Sequence, residues 1–273
     1  MPDPRPIGLL DSGVGGLSVL RDVRRLLPTE HLLYVGDQAH LPYGTRTRDE
    51  LRGFVVGITR FLLAQGIKML VIPCNSASAA ALQYLRATFP DLPIVGMEPA
   101  IKPAAENTKT GVIGVITTQA TFQGELFASV LDRFAQGIRV ETQVCPELVL
   151  LAEAGAPHTP EAHQAVAACV APLQAAGIDQ LVLGCTHFPF LEDHLRAALG
   201  PAVQIVDPGP AVARQTRRVL LANGLETPRR DDGHITYYTS GNPLQFRTAL
   251  RALLCEDGDV RPAVWEGLSL RAG

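Results

Sequence analysis

Two segments of the chain read almost as copies at a constant offset of 111 residues, Gly66-Ile67-Lys68-Met69-Leu70-Val71-Ile72-Pro73-Cys74-Asn75 and Gly177-Ile178-Asp179-Gln180-Leu181-Val182-Leu183-Gly184-Cys185-Thr186. In each, a Gly able to close a helix leads into a short apolar run suited to a strand buried on both faces, and a Cys-polar pair follows where such a strand would stop. The likeness continues without a gap through Pro90/Pro201 and Ile94-Val95/Ile205-Val206 to Pro99-Ala100/Pro210-Ala211. About eleven identities in some thirty-six positions mark an internal repeat. A chain duplicated in this way is constrained to fold as two similar halves. If the halves face each other about a pseudo-twofold axis, the two thiols converge on one cleft from opposite sides. That arrangement can take a proton from one face of a carbon and supply one to the other.

The rest of the pattern fits such halves. Strands are expected at Ile7-Gly8-Leu9-Leu10, His31 to Val35, Met69 to Pro73, Ile94-Val95, Val112 to Ile116, Arg139 to Val144, before Cys185, and Ile235 to Thr239. Helical spacing lies between them, at Leu17 to Leu27, Glu50 to Gln65, Ser76 to Thr88, Thr121 to Phe134, Glu161 to Ala176, after Cys185 to Leu199, Ala211 to Leu221 and Pro243 to Leu254. Strands alternating with helices give βαβ units. The expected fold is therefore α/β, two similar domains with parallel-rich sheets flanked by helices and a site in the cleft between them. Breakers at 98–110 and at Asp207-Pro208-Gly209-Pro210 place the crossings. The expected domains are 1–98 with 209–262, discontinuous, and 99–208, leaving 263–273 as a C-terminal tail.

Composition narrows the function. At 273 residues, 47% apolar and 19% charged, the chain is large enough for two cores and is not disordered. A net charge of −3 offers no long-range attraction for nucleic acid or an anionic membrane. The start lacks a secretory apolar region and no apolar run is long enough to span a bilayer, so the expectation is a cytoplasmic protein with no membrane partner. Five cysteines without CxxC or zinc spacing are expected to be reduced thiols, with neither a disulfide framework nor a metal.

Open parallel sheets bind ligands beyond the carboxyl ends of their strands. Asp11-Ser12, Asp37, Cys74-Asn75-Ser76, Thr117-Thr118 and Cys185-Thr186-His187 all fall at such ends. Removing a proton from the α-carbon of an amino acid needs a strong, poorly solvated base. A free thiol, with a pKa of about 8.5, needs about 2 kcal/mol to be half ionised at pH 7. A helix N-terminus supplies up to roughly that amount, and both Cys74 and Cys185 precede expected helices. Asp11 and His187 are candidates to move protons at their respective thiols. Gly13, Gly15 and Gly16 fit neither a dinucleotide nor a phosphate-loop spacing, and close strand-to-helix packing is the better account of them. His31, His40, His158, His163, His194 and His234 have no ligand spacing.

Taken together, Leu10-Asp11-Ser12-Gly13-Val14-Gly15-Gly16-Leu17, Pro42-Tyr43-Gly44, Cys74-Asn75-Ser76-Ala77, Gly184-Cys185-Thr186-His187-Phe188-Pro189 and Tyr238-Thr239-Ser240-Gly241-Asn242-Pro243 stand in the order and spacing of bacterial glutamate racemases. The chain resembles that family from about Pro6 to Leu254. The resemblance implies cofactor-independent interconversion of L- and D-glutamate, supplying D-glutamate for peptidoglycan. It implies that Cys74 deprotonates D-glutamate with the help of Asp11. On the other side Cys185 would deprotonate L-glutamate, with Glu147 and His187 beside it. It also implies that Ser12, the Pro42-Tyr43-Gly44 turn, Asn75, Ser76, Thr118, Thr121 and Thr186 hold the substrate. Departures are small: Ser76 where Thr is usual, Pro73 before the first cysteine, and Phe188 where Tyr is common. Assembly stays open, a homodimer being the one form entertained. Two other readings stand beside this one, a two-thiol enzyme acting on aspartate or another acidic compound and a ligand-binding or partner-regulating protein on a similar scaffold. His187 disfavours the first, since relatives acting on aspartate tend to have Glu there, and the intact cysteine pair disfavours the second.

Overall fold

The structure, a computed structural model, describes residues 2–273. The chain opens with β1 (Ile7–Asp11), α1 (Leu17–Leu26), β2 (Leu32–Gly36), α2 (Arg48–Ala64), β3 (Met69–Val71), α3 (Asn75–Thr88) and β4 (Ile94–Val95). It crosses through α4 (Ile101–Asn107) to β5 (Val112–Thr117), α5 (Gln119–Phe122), α6 (Glu125–Phe134), β6 (Arg139–Val144) and α7 (Pro146–Glu153). Next come α8 (Pro160–Ala175), β7 (Gln180–Gly184), α9 (Glu192–Leu199) and β8 (Gln204–Val206). The return passes through α10 (Gly209–Ala222) to β9 (Ile235–Thr239), α11 (Pro243–Leu254), β10 (Asp259–Glu266) and β11 (Ser269–Ala272).

These strands make two sheets, ordered β11-β10-β9-β2-β1-β3-β4 and β6-β5-β7-β8. Every pairing is parallel except that of β10 with β11. The repeat is visible in the topology, because β2-β1-β3-β4 of one sheet has the same order as β6-β5-β7-β8 of the other. Each sheet is packed on both faces. On the larger sheet, α2 and α3 supply Val55, Ile58, Leu62, Leu82 and Leu85 to one core, while α1, α10 and α11 supply Leu17, Leu20, Leu220 and Phe246 to the other. On the smaller sheet, α7, α8 and α9 bury Leu148, Val170 and Leu195 on one face, and α4 and α6 bury Ile101 and Phe127 on the opposite one.

Several expectations are corrected. Residues 101–107, expected as part of a breaker, form α4; Pro103 lies in its first turn, where the missing N–H costs nothing. Helix α7 had no counterpart in the sequence reading, although Pro146 opens it at a position proline favours. The single helix expected from Thr121 to Phe134 is broken, with Gly124 in an extended conformation as the N-cap of α6. The expected tail at 263–273 is part of the larger sheet, where β10 pairs with β9 and β11 folds back on β10. Its charges suit the sheet edge that β11 forms, and with Pro262 just before the tail they disguise the strands. The five reduced thiols are also corrected. Cys145, at the start of α7, is disulfide-bonded to Cys169 in α8, with their Cα atoms 6.2 Å apart. Cys74 and Cys185 are free and buried, and Cys255 is free and exposed. Nothing in the spacing announces the pair, because only the docking of α7 on α8 brings the two residues together.

The glycine that begins each copy of the repeat does the same work twice. Gly66, after α2, has φ +80°, and Gly177, after α8, has φ +79°, the left-handed turn that ends a helix. A Cβ at either position would meet nothing within 4 Å, so the only objection to a side chain is the backbone conformation. Gly66→Ala and Gly177→Ala should each lower unfolding stability by about 1 kcal/mol, measured by urea denaturation, with the far-ultraviolet circular dichroism of the folded protein unchanged.

Candidate active site

The carboxyl ends of the two sheets meet around a cavity of about 210 Å³. That is small for a ligand site, and suits a molecule the size of an amino acid rather than a dinucleotide. Cys74 reaches it from the end of the β3 segment and Cys185 from the end of β7, and both line its wall. Ser12, Pro42, Tyr43, Gly44, Asn75, Ser76, Thr118, Thr186 and His187 also line it, as do Thr45, Gln119, Val144, Pro146 and Val149, which the sequence did not single out. Thr121 stands one layer back, 3.1 Å from Thr118 Oγ1 and 3.4 Å from Ser76 Oγ. Asp11 is fully buried behind Cys74.

Around Cys74 the environment is built from a helix end and a carboxyl group. Cys74 is the N-cap of α3, where its side chain makes no capping hydrogen bond, and the nearby Ala77 N–H favours its thiolate form. Burial pushes the thiol well above its ordinary pKa, and the charge of the neighbouring Asp11 carboxyl adds to the rise. Burial likewise raises Asp11, against the pull of nearby His187. Asp11 is held by the N–H of Ser12 at 2.6 Å, by the N–H of Gly16, and by the Thr186 hydroxyl at 3.2 Å.

The Cys185 side uses a different device. A 3-10 turn, Phe188–Leu191, follows Cys185, and α9 begins only at Glu192. The expected helix N-terminus is therefore absent beside this thiol, Pro189 having tightened the turn. His187 takes its place. Its Nδ1 lies 3.5 Å from Cys185 Sγ, and its Nε2 lies 2.7 Å from Glu153 Oε1. Burial alone would lower the imidazole's pKa. Cys185 and Glu153 override it and hold His187 well above the ordinary histidine value. Burial would raise Glu153, but His187, the Val14 N–H at 2.7 Å and the Gln38 amide at 2.9 Å bring it below the ordinary carboxylate range.

Glu153, and not the Glu147 expected beside Cys185, is the carboxylate that meets His187. Glu147 is an exposed residue in the first turn of α7, outside the cavity, with its carboxylate within 4.8 Å of the Cys145 and Cys169 sulfurs. Once α7 is recognised the reason is plain: Glu153 lies at the far end of that helix, facing His187, nearly two turns beyond Glu147.

Asn75 carries the clearest mark of an intended ligand. It is 4% exposed and lines the cavity, yet neither its side-chain oxygen nor its nitrogen has a partner among the described residues. A buried amide left unsatisfied on both atoms costs free energy that a bound molecule can recover. That molecule would offer both a donor and an acceptor, as an ammonium and a carboxylate do.

Two free, buried thiols lining one cavity, one beside a carboxyl group and the other beside an imidazole, suit a protein that moves a proton on a small polar molecule. The family model described as Asp/Glu/Hydantoin racemase matches residues 7–216. The chain belongs to that family, and it is an amino-acid racemase. It is 48% identical over 93% of its length to a glutamate racemase of Ectopseudomonas mendocina, of which it covers 97%. Among solved structures it is similar to a glutamate racemase isoform of Bacillus anthracis, with 32% identity, a TM-score of 0.88 and coverage of 97% of this chain and 98% of that one. It is also similar to the Escherichia coli glutamate racemase solved with L-glutamate and the activator UDP-MurNAc-ala, with 32% identity, a TM-score of 0.84 and coverage of 99% and 100%.

The His187 geometry has a direct test. In Glu153→Gln the carboxylate that favours the imidazolium is lost, so His187 should release its proton at lower pH than in the wild type, followed by NMR of the imidazole. The high-pH limb of activity with L-glutamate should move the same way. A His187 titration unchanged by the substitution would contradict the pairing.

Proposed function

We propose that the chain interconverts L- and D-glutamate without a cofactor, through two thiols acting on opposite faces of the α-carbon. The observation that carries this reading is the pair of free, buried cysteines, Cys74 and Cys185, brought from two duplicated sheets to one cavity. The unpartnered Asn75 amide supports an amino-acid ligand.

In the direction from L-glutamate, Cys185 as thiolate beside the His187 imidazolium takes the α-proton. The charge left on the α-carbon is delocalised into the adjacent carboxylate, which the hydrogen-bond donors around the cavity steady. Cys74, kept protonated by burial and Asp11, then gives its proton to the other face. In the reverse direction the raised Asp11 carboxyl is suited to accept the thiol proton of Cys74, leaving a thiolate to attack D-glutamate. Each thiol resets by exchange with water. Ser76 and Thr118 hydroxyls, 2.9 Å apart, offer donors on one wall, and the Pro42-Tyr43-Gly44 turn is assigned the side-chain carboxylate. The D-glutamate formed would supply peptidoglycan synthesis in the cytoplasm. No helix among the described residues is long and apolar enough to cross a membrane.

The reading is tested by running the reaction in D₂O. L-Glutamate should yield D-glutamate carrying deuterium at the α-carbon, while the early unreacted L-glutamate stays protiated, and the mirror result should hold from D-glutamate. Return of the substrate's own hydrogen to the product would mean a single swinging base. Cys74→Ala and Cys185→Ala should each lose racemisation by more than the ~10²–10⁴-fold typical of one general acid or base, since each thiol serves in both directions. With aspartate, one methylene short of the turn, circular dichroism should show a far smaller kcat/KM than with glutamate; equal values would remove the assignment of the turn.

A further inference from the structure

The seven-stranded sheet ends in a hairpin, β10 and β11, that sequence alone leaves as a tail. Its Trp265 reaches a buried group behind the cavity-lining Tyr43. Asp37, at the end of β2, is 0% exposed. Its two oxygens accept four hydrogen bonds from four separate places. Trp265 Nε1 donates to Oδ1 at 2.7 Å and Ser240 Oγ to the same oxygen at 2.6 Å. Tyr43 Oη donates to Oδ2 at 2.7 Å, and His40 Nδ1 lies 2.9 Å from it. An ionised carboxylate accepts about four such bonds, so every acceptor site of Asp37 is in use.

The Tyr43 bond connects this cluster to the cavity. Tyr43 is 1% exposed and lines the cavity between Pro42 and Gly44, with its hydroxyl turned away into Asp37. Its role there is to fix the turn rather than to touch a ligand through oxygen. The rings complete the lock. His40 stacks on Phe54 at 3.8 Å, and Trp265 meets the edges of both at 5.1 and 6.0 Å. Beneath it, Gly57 of α2 leaves room for the indole, where a Cβ would lie 2.7 Å from the ring. The indole is thus seated by α2 and aimed at one carboxylate.

We propose that Trp265 is a positioning residue for substrate binding, holding the Pro42-Tyr43-Gly44 turn in place through Asp37. The proposal rests on the assignment of that turn to the substrate's side-chain carboxylate. A hydrogen bond to a buried carboxylate contributes strongly, and its loss leaves an acceptor unsatisfied. The effect falls on binding rather than on proton transfer, because both thiols lie outside this network.

Trp265 is the chain's one tryptophan, so its fluorescence reports on this site alone. Trp265→Phe keeps an aromatic ring and removes the N–H. It should raise KM for both L- and D-glutamate roughly five- to tenfold, with kcat within about twofold of wild type and the far-ultraviolet circular dichroism unaltered. Tyr43→Phe, with no ligand added, should shift the Trp265 emission, since Asp37 then rebalances its remaining donors. An unchanged KM in Trp265→Phe, a loss confined to kcat, or an unshifted emission in Tyr43→Phe would each overturn the proposal. Wild-type protein that fails to racemise glutamate would instead overturn the functional reading, and the ligand-free emission of Tyr43→Phe would still decide whether Trp265 is coupled to the turn.

Discussion

The site depends on the backbone of the loop between β1 and α1. A buried and a half-buried carboxyl group, one from each half of the molecule, draw on its N–H groups: Asp11 on those of Ser12 and Gly16, and Glu153 on that of Val14. Carboxylates taken out of water need such donors, and backbone amides supply them without adding a charge. The glycines make the approach possible. A Cβ on Gly13 would strike the Glu153 carboxylate, and one on Gly15 would strike the His187 ring and the Thr186 hydroxyl. The two halves close on each other because glycines stand at the points of closest approach, and the groups beside both thiols are fixed by the same contact.

Duplication explains the frame, and divergence explains the chemistry. The two cysteine strands pair in equivalent positions of equivalent sheets, yet the residues after them differ. Asn75-Ser76 lead into a full α-helix, whose N-terminus faces Cys74. Thr186-His187 lead into a 3-10 turn, and the imidazolium does what the helix end does opposite. A helix N-terminus carries only about half a unit charge, whereas an imidazolium carries a full one. The two thiols therefore differ in the groups set beside them. Even the non-catalytic positions have diverged to local uses. Lys68 pairs with buried Glu30 at 2.5 Å, while its counterpart Asp179 accepts from Thr108 and from the N–H groups of Lys109 and Thr110, fastening the chain where it crosses between sheets.

What was legible in the sequence follows from how local its cause is. The strands, the paired cysteines, the left-handed glycines at 66 and 177 and the polar residues at strand ends declare themselves through apolar patterning and turn chemistry within a few positions. Helices α4 and α7 were hidden by Pro103 and Pro146, since a proline marks a helix start as readily as a break. Missing α7 had a further consequence. Without it, Glu147 and Glu153 are merely two carboxylates near Cys145, and only the helical turn shows which one faces His187. The Cys145–Cys169 pairing, the bonds of Glu153 and the reach of Trp265 are tertiary facts, joining residues tens to hundreds of positions apart with no local imprint.

The end of β2 shows how such long-range contacts combine. Asp37 and Gln38 are adjacent, and they serve opposite sides of the cavity. Asp37 fixes Tyr43, while Gln38 donates to Glu153 Oε2 at 2.9 Å and accepts from Thr239 Oγ1 at 2.9 Å. The turn beside the cavity and the carboxylate behind His187 are thus both referred to one strand end, which is itself held between β1 and β9 in the middle of the larger sheet. A displacement of that strand end would disturb both at once, whereas a sheet strand paired on both sides resists such displacement far better than a free loop. With both contacts on adjacent residues immediately after a central strand, the spacing between the Tyr43 turn and the Glu153 carboxylate is fixed, even though the two come from different halves of the chain.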